Sequence, residues 1–250
     1  AFVKELDSRK ALDGVRLSGC ENGDIRWFNK SYSRAVLGDP LVRTRLGALD
    51  IHSYCLHMPI PFFNNRMSFL KRFAKWMSKN YPDVPVNMSE WTHMQGGRDK
   101  GMDSALVTAN VMYEDLSVLN VISWQHWIAV SEVNYCDGLI YINLDDKTFE
   151  MTKRYYATGN FSKYVPAGSV RVDAACDDSE LRLLAFKYDG GCAVIVINST
   201  KKEKELSLPE QYSAVKSAVT DDNNNLREYD IADPEHIKIT PRSVTTIILR

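Results

Sequence analysis

Glu90 follows the apolar run Val84-Pro85-Val86-Asn87-Met88 and precedes Trp91. A carboxylate at the mouth of a buried strand can attack the anomeric carbon of a sugar, and an adjacent indole can pack on a sugar ring. The competing use is a strand-end carboxylate held in a structural ion pair, because such networks also perturb acids. His52 and Tyr54 stand two apart at the end of the run Ala48–Ser53, so on a strand their side chains share one face. They are placed to hydrogen-bond a substrate or to position Glu90. For His52 the alternative is a core imidazole with its hydrogen bonds met. Ser123-Trp124-Gln125-His126-Trp127 sets two indoles beside an amide and an imidazole. Such a group suits a carbohydrate rim, with Trp124 and Trp127 stacking on sugar faces and Gln125 reading hydroxyls. Core packing is the other use for at least one of these indoles. Glu21 ends the first apolar run and offers a second acid, although nothing local relates it to Glu90. His57 reads as a loop residue.

Two kinds of element must position these groups. Up to about Lys153 short apolar runs alternate with helical patterns. The runs are Val15–Ser18, Ala48–Ser53, Val86–Ser89 and Val118–Trp124. Helical stripes lie between them, at Met67–Ser78 and Asp103–Asp115. Alternation of this kind implies parallel strands joined by crossover helices, with chemistry at the strands' C-terminal ends. Thr152–Tyr164 reads as a further helix. After about Val165 the runs become short and β-branched and are separated by turn signals such as Asp189-Gly190-Gly191. They are Val170–Ala174, Leu181–Phe186, Ala193–Ile197, Val215–Val219, Ile237–Ile239 and Val244–Leu249, the spacing of an antiparallel sandwich. The expected domains are therefore 1–153 and 154–250. A closed eight-stranded α/β barrel takes about 250 residues, whereas the first part yields four βα units, half of one; the expected fold is either a smaller open sheet or the C-terminal portion of a larger protein.

Composition sets the outer bounds. The chain has 250 residues, with 31 Lys+Arg against 32 Asp+Glu and a formal net charge of -1. Bulk charge therefore gives no drive toward nucleic acid or an anionic membrane, and no apolar run reaches the length of a membrane span. The five cysteines lack metal-ligand spacing and read as small buried side chains or free thiols. No signal peptide is visible, and the helical pattern at Phe2, Val3 and Leu6 starts without a cap, from which an upstream segment is expected. Asn198-Ser199-Thr200 matches a glycosylation acceptor, a motif of three residues that says little alone.

Five stretches resemble glycoside hydrolase family 30, and the similarity covers nearly the whole chain. They are Asp50-Ile51-His52-Ser53-Tyr54, Val86-Asn87-Met88-Ser89-Glu90-Trp91, Ser123–Ser131, Lys153–Val172 and Pro241–Ile247. The resemblance implies a (β/α)8 barrel fused to a β-sandwich, the four units here being barrel strands five to eight. It implies retaining hydrolysis of a β-linked polysaccharide or glycoside with Glu90 as nucleophile; the residues read above as lying around the substrate are His52, Tyr54, Trp91, Trp124, Gln125, Trp127 and Glu21. The family's acid/base Glu ends the fourth strand and is usually followed by Pro. No Asn-Glu-Pro occurs here, so an incomplete chain lacking that residue is expected. No cofactor is implied. An extracellular or periplasmic setting is, and the expected partners are a carbohydrate substrate with a missing N-terminal half or a second copy. A non-catalytic glycan-binding protein and an inactive fragment needing its other half are the competing readings.

Overall fold

The computed structural model describes residues 2–9, 12–27, 32–54, 66–209 and 212–250. Cys55 and His57 lie outside the described residues. Within them the chain forms two compact units, one of residues 1–92 with 114–127 and the other of 93–113 with 128–250.

The first unit opens with helix α1 (Phe2–Ser8), which buries Val3 and Leu6. Strand β1 (Leu17–Asn22) follows, then helices α2 (Tyr32–Gly38) and α3 (Pro40–Arg45). Asp39 caps α3 by accepting from the amides of Leu41 and Val42, with Pro40 at the first helical position, where a missing N–H costs nothing. Neither α2 nor α3 was expected from the apolar spacing. Strand β2 (Leu46–His52), helix α4 (Arg66–Asn80) and strand β3 (Val86–Trp91) complete a βαβ unit. Helix α4 buries Leu70, Phe73 and Met77 at the i, i+3, i+7 spacing that its sequence displays. It stops before Tyr81, which precedes Pro82 and so disfavours a helical backbone.

Helix α5 (Met102–Glu114) runs into one π-helical turn at Asp115–Leu119, and strand β4 (Ser123–His126) follows. The residues Val118 and Leu119 expected to start that last strand thus belong to the π turn, which ends in a left-handed Asn120 at φ +52°. The sheet order is β1-β2-β3-β4, all parallel. This agrees with the expected α/β part. One polar residue per strand forms a hydrogen-bonded row across the sheet. Ser18 donates to Asp50, Asn87 donates to Asp50 Oδ1 at 2.8 Å, and Ser123 donates to Asn87 Oδ1 at 2.8 Å. The other face is apolar, with Leu49, Ile51 and Met88 fully buried.

The second unit holds a three-stranded sheet that the sequence reading did not anticipate: β5 (Val130–Ser131), β6 (Ile140–Asn143) and β7 (Thr148–Met151), in that order. Its strands are short and mostly exposed, so they carry little of the alternation that marks a strand. Helix α6 (Lys153–Ser162) is capped by Thr152, whose hydroxyl accepts from the Tyr155 amide. Strands β8 (Val170–Val172), β9 (Leu181–Tyr188), β10 (Gly191–Asn198), β11 (Lys204–Leu206), β12 (Ala214–Thr220), β13 (Arg227–Asp230), β14 (Ile237–Ile239) and β15 (Ser243–Leu249) follow. They make a six-stranded antiparallel sheet, β13-β12-β15-β10-β9-β8, and a β11-β14 pair. Val194, Val196, Ile247 and Leu249 of the larger sheet and Leu206, Ile237 and Ile239 of the pair share one core. Gly190, at φ +80°, makes the β9–β10 turn. Within this unit β5 and β6 pair parallel and β6 and β7 antiparallel, so antiparallel pairing begins before residue 153.

Arg154, in the first turn of α6, is fully buried. Its guanidinium donates to the carbonyls of Asp99 and Gly138 at 2.5 and 2.7 Å, to the hydroxyls of Ser104 and Tyr141 at 2.6 and 2.9 Å, and to Cys136 Sγ at 3.3 Å. Asn198 is also fully buried, and its amide donates to the carbonyls of Lys202 and Thr240 at 2.9 Å each. The acceptor-like tripeptide at 198–200 is therefore a turn lock with no nitrogen presented to a glycan. Cys20, Cys136, Cys176 and Cys192 are free thiols.

Lys163 and the Tyr164 hydroxyl donate to Glu228 Oε1 at 2.9 and 2.8 Å, pulling that carboxyl from 4.5 down to about 2. A depressed folded-state value stabilises the fold above the unfolded value and loses that contribution as pH falls through the folded one. Glu228→Gln should thus melt below the wild type near neutral pH, by a small margin because the group is solvent-screened. The gap should close as pH falls from about 4.5 to about 2. A gap that stays constant over that range would remove the ion pair as its source.

Candidate active site

Every expected site residue lies in the first unit, at the C-terminal ends of the four parallel strands. Each strand pair loses its register at that level. Between β1 and β2 the shift falls between Gly19 and Asn22, between β2 and β3 it falls between Ile51 and His52, and between β3 and β4 between Met88 and Trp91. An extra residue in a ladder re-aims every side chain beyond it. On β3 the burial along Val86–Trp91 runs buried, half-buried, buried, half-buried, half-buried, buried. His52 pairs with Glu90 where strict register from Ile51 and Met88 would have given Ser89. The bulge thus turns Glu90 onto the polar face of Asp50 and Asn87, and turns Trp91 into the core.

Glu90 is a quarter exposed, and the Tyr54 hydroxyl donates to its Oε1 at 2.9 Å. His52 stands between two carboxylates. Its Nε2 is 2.8 Å from Glu21 Oε2, and its Nδ1 is 3.6 Å from Glu90 Oε1. The Ser89 hydroxyl also donates to Glu21 Oε2, at 2.5 Å. Glu21 takes the left-handed φ of +54°, uncommon for a residue with a Cβ and concentrated where a side chain is held for a task. Proximity of Glu21 to Glu90, which the sequence did not show, thus comes from two strands separated by a third. Ser89, as the extra residue of a bulge, has no one-dimensional signal.

The indoles divide. Trp91 is 5% exposed and packs on Trp124 with ring centroids 6.0 Å apart. It was expected to face a sugar, and burial by the bulge assigns it to the floor instead. Trp124 is half-buried, Gln125 is exposed and Trp127 is 51% exposed, so these three border solvent. His126 stacks on Trp124 at 6.2 Å.

A buried acid holds this arrangement from behind. Asp115 is fully buried in the π turn. It accepts from Trp124 Nε1 at 3.0 Å, Ser53 Oγ at 2.7 Å and Arg66 Nη2 at 2.6 Å. Burial pushes its carboxyl above the usual range, and the Arg66 guanidinium and these donors pull it back. It ties Trp124 on β4 to Ser53 between His52 and Tyr54. Asp115→Ala should lower the unfolding free energy by about 3 kcal/mol, because it takes a buried acceptor from the indole N–H and from Arg66, whose Nη1 keeps Glu114. Urea titration measures it, and a loss well under 1 kcal/mol would show that these donors find water instead. Among the described residues no group of three or more His, Cys, Asp or Glu side chains could hold a metal ion. No helix among them is long and apolar enough to cross a membrane.

A parallel sheet whose strand ends gather a carboxylate, a tyrosine, an imidazole and a tryptophan rim can be set beside known proteins. The family model described as O-glycosyl hydrolase family 30 matches residues 27–141. Over those residues the chain resembles glycoside hydrolase family 30. It is 23% identical over 207 residues to the lysosomal acid glucosylceramidase of Mus musculus, covering 75% of this chain and 37% of that protein. Among solved structures it superposes on a conserved exported protein from Bacteroides fragilis with a TM-score of 0.79 at 19% identity, covering 98% of this chain and 58% of that one. A family 30 endoxylanase from Clostridium papyrosolvens gives 0.69 at 16% identity, with 98% and 59% covered. The chain thus spans about 37% of this curated relative and under two thirds of these structures. At these identities the superpositions speak for the fold alone.

Proposed function

We propose that this chain carries the nucleophile side of a retaining β-glycoside hydrolase. The observation that carries the reading is Glu90, part-exposed at the end of a parallel strand and hydrogen-bonded by Tyr54. Tyr54 occupies Oε1, which leaves Oε2 to attack the anomeric carbon. As that bond forms, the glycosidic C–O bond breaks and the leaving oxygen takes a proton from a second carboxylic acid. Water, giving its proton to that same group, then attacks the glycosyl ester and releases Glu90. Glu21 is not that second acid, because the His52 imidazole stands between it and Glu90, where the scissile oxygen would have to fit. The acid/base residue would come from outside these 250 residues, consistent with strands β1 to β4 standing for barrel strands five to eight. Residues 1–153 would then be the half-barrel and 154–250 the sandwich, with a missing half or a second copy completing the site. Trp124, Gln125 and Trp127 would contact the sugar, and Trp91 would support them from beneath. The exported Bacteroides protein supports an extracellular or periplasmic setting. The mechanism itself calls for no cofactor.

The test is a panel of dinitrophenyl β-glycosides, whose leaving groups need no protonation. The chain should release a burst of dinitrophenolate approaching one per molecule, followed by slow turnover. Saturable sugar binding with no burst on any member would favour a glycan-binding protein instead.

A further inference from the structure

The two nitrogens of His52 are not equivalent. Nε2 lies at hydrogen-bond distance from Glu21, at 2.8 Å, while Nδ1 lies 3.6 Å from Glu90 Oε1, beyond it. A neutral imidazole carries one N–H, and which nitrogen bears it follows from the acceptor available to each. The geometry points to Glu21 as a positioning residue that fixes the proton of His52 on Nε2. Glu90 then meets a nitrogen lone pair at His52 and keeps Tyr54 as its one close donor among the described residues. Ser89 holds Glu21 in place from β3. The reading deepens the proposal above and rests on it only for the task of Glu90. The titratable groups Asp24, Asp50, Asp115 and His126 of the same unit have partners of their own. Asp24 pairs with Arg26, Asp50 lies in the polar row, Asp115 pairs with Arg66, and His126 stacks on Trp124.

Without an acceptor at Nε2, the imidazole's remaining partner is Glu90. In Glu21→Ala the proton should therefore move to Nδ1 and be donated to the Glu90 carboxylate. In Glu21→Gln the amide oxygen still accepts, and the wild-type tautomer should persist. Long-range 1H–15N spectra of the 15N-histidine-labelled chain at mildly alkaline pH read this directly, with His52 assigned by its loss in His52→Gln. Glu21 is more than half exposed, so both variants should fold, and the dispersion of the same spectra checks that they do. A second arm follows esterification of Glu90 by 2-deoxy-2-fluoro-β-glycosyl fluorides. The first-order rate at saturation should fall about tenfold in Glu21→Ala, with the half-saturating concentration unchanged, and recover in Glu21→Gln. An Nε2–H tautomer retained in Glu21→Ala, or an Nδ1–H form in the wild type, overturns the assignment. A tautomer switch without any sugar labelling in the wild type would overturn the glycosidase reading and leave the assignment of Glu21 standing.

Discussion

Glu90→Ala should abolish the dinitrophenolate burst, lowering the first-turnover rate by about a thousandfold or more, and added azide should restore bond cleavage with the opposite stereochemistry. With Glu90 in place the sugar is held as an ester on one face of the ring. Azide can then attack only from the other face, and two inversions give a glycosyl azide of retained configuration. In Glu90→Ala the space of the carboxylate is open, azide enters there, and a single inversion gives the other anomer. Product configuration is read by NMR and does not depend on how much activity remains. Glu90→Gln serves as the isosteric control, with the Tyr54 bond kept and the charge gone. A variant that keeps the burst, or returns the retained azide, would move the nucleophile elsewhere.

Arg154→Ala should be the most destabilising single change in the second unit, at about 4 kcal/mol. The side chain is fully buried, and its two nitrogens Nη1 and Nη2 serve five acceptors on two stretches of chain: Asp99 and Ser104 on one, and Cys136, Gly138 and Tyr141 on the other. Truncation takes the guanidinium from the Asp99 and Gly138 carbonyls, leaves the Ser104 and Tyr141 hydroxyls with the weaker donors Cys136 Sγ and the Gly138 amide, and opens a cavity the size of a guanidinium. Arg154→Lys should lose about 2 kcal/mol or more, because an ammonium is a point donor and cannot reach both sides of the planar fork. Arg154→Met separates the contributions by filling the volume without donating. If it matched the wild type in urea, the network would be dispensable and packing alone would matter. Tyr141 offers a second reading, since burial raises its hydroxyl above the ordinary tyrosine range and Arg154 opposes that rise. In Arg154→Met its titration should move further up.

Several elements were legible from the chain alone because their signals are local. The stripe at Leu70, Phe73 and Met77 gave α4, and Thr152 ahead of Lys153 capped α6. The run through Ala48–Ser53 marked β2 and put His52 and Tyr54 at its end. The sheet of β5, β6 and β7 was not legible, since exposed strands of two to four residues need no apolar alternation. Nor was Asp115, whose carboxyl looks in sequence like the polar end of a helix and becomes the anchor of Trp124 only when the π turn is folded against β4.

The sequence by itself determined which chemistry is available: a carboxylate at a strand end, a histidine and a tyrosine two residues apart, indoles for a rim, and a switch from parallel to antiparallel strands. Tertiary structure decided which of these groups meet. Side chains alternate along a strand with a period of two, so one extra residue at Ser89 exchanges the faces of Glu90 and Trp91, sending the acid to the site and the indole to the core. Glu21 reaches His52 because β1 lies beside β2, and the Ser89 hydroxyl because β3 flanks β2 on the other side. Bulges and sheet order are set by the balance of ladder hydrogen bonds against packing of the whole layer. No window of neighbouring residues carries that balance.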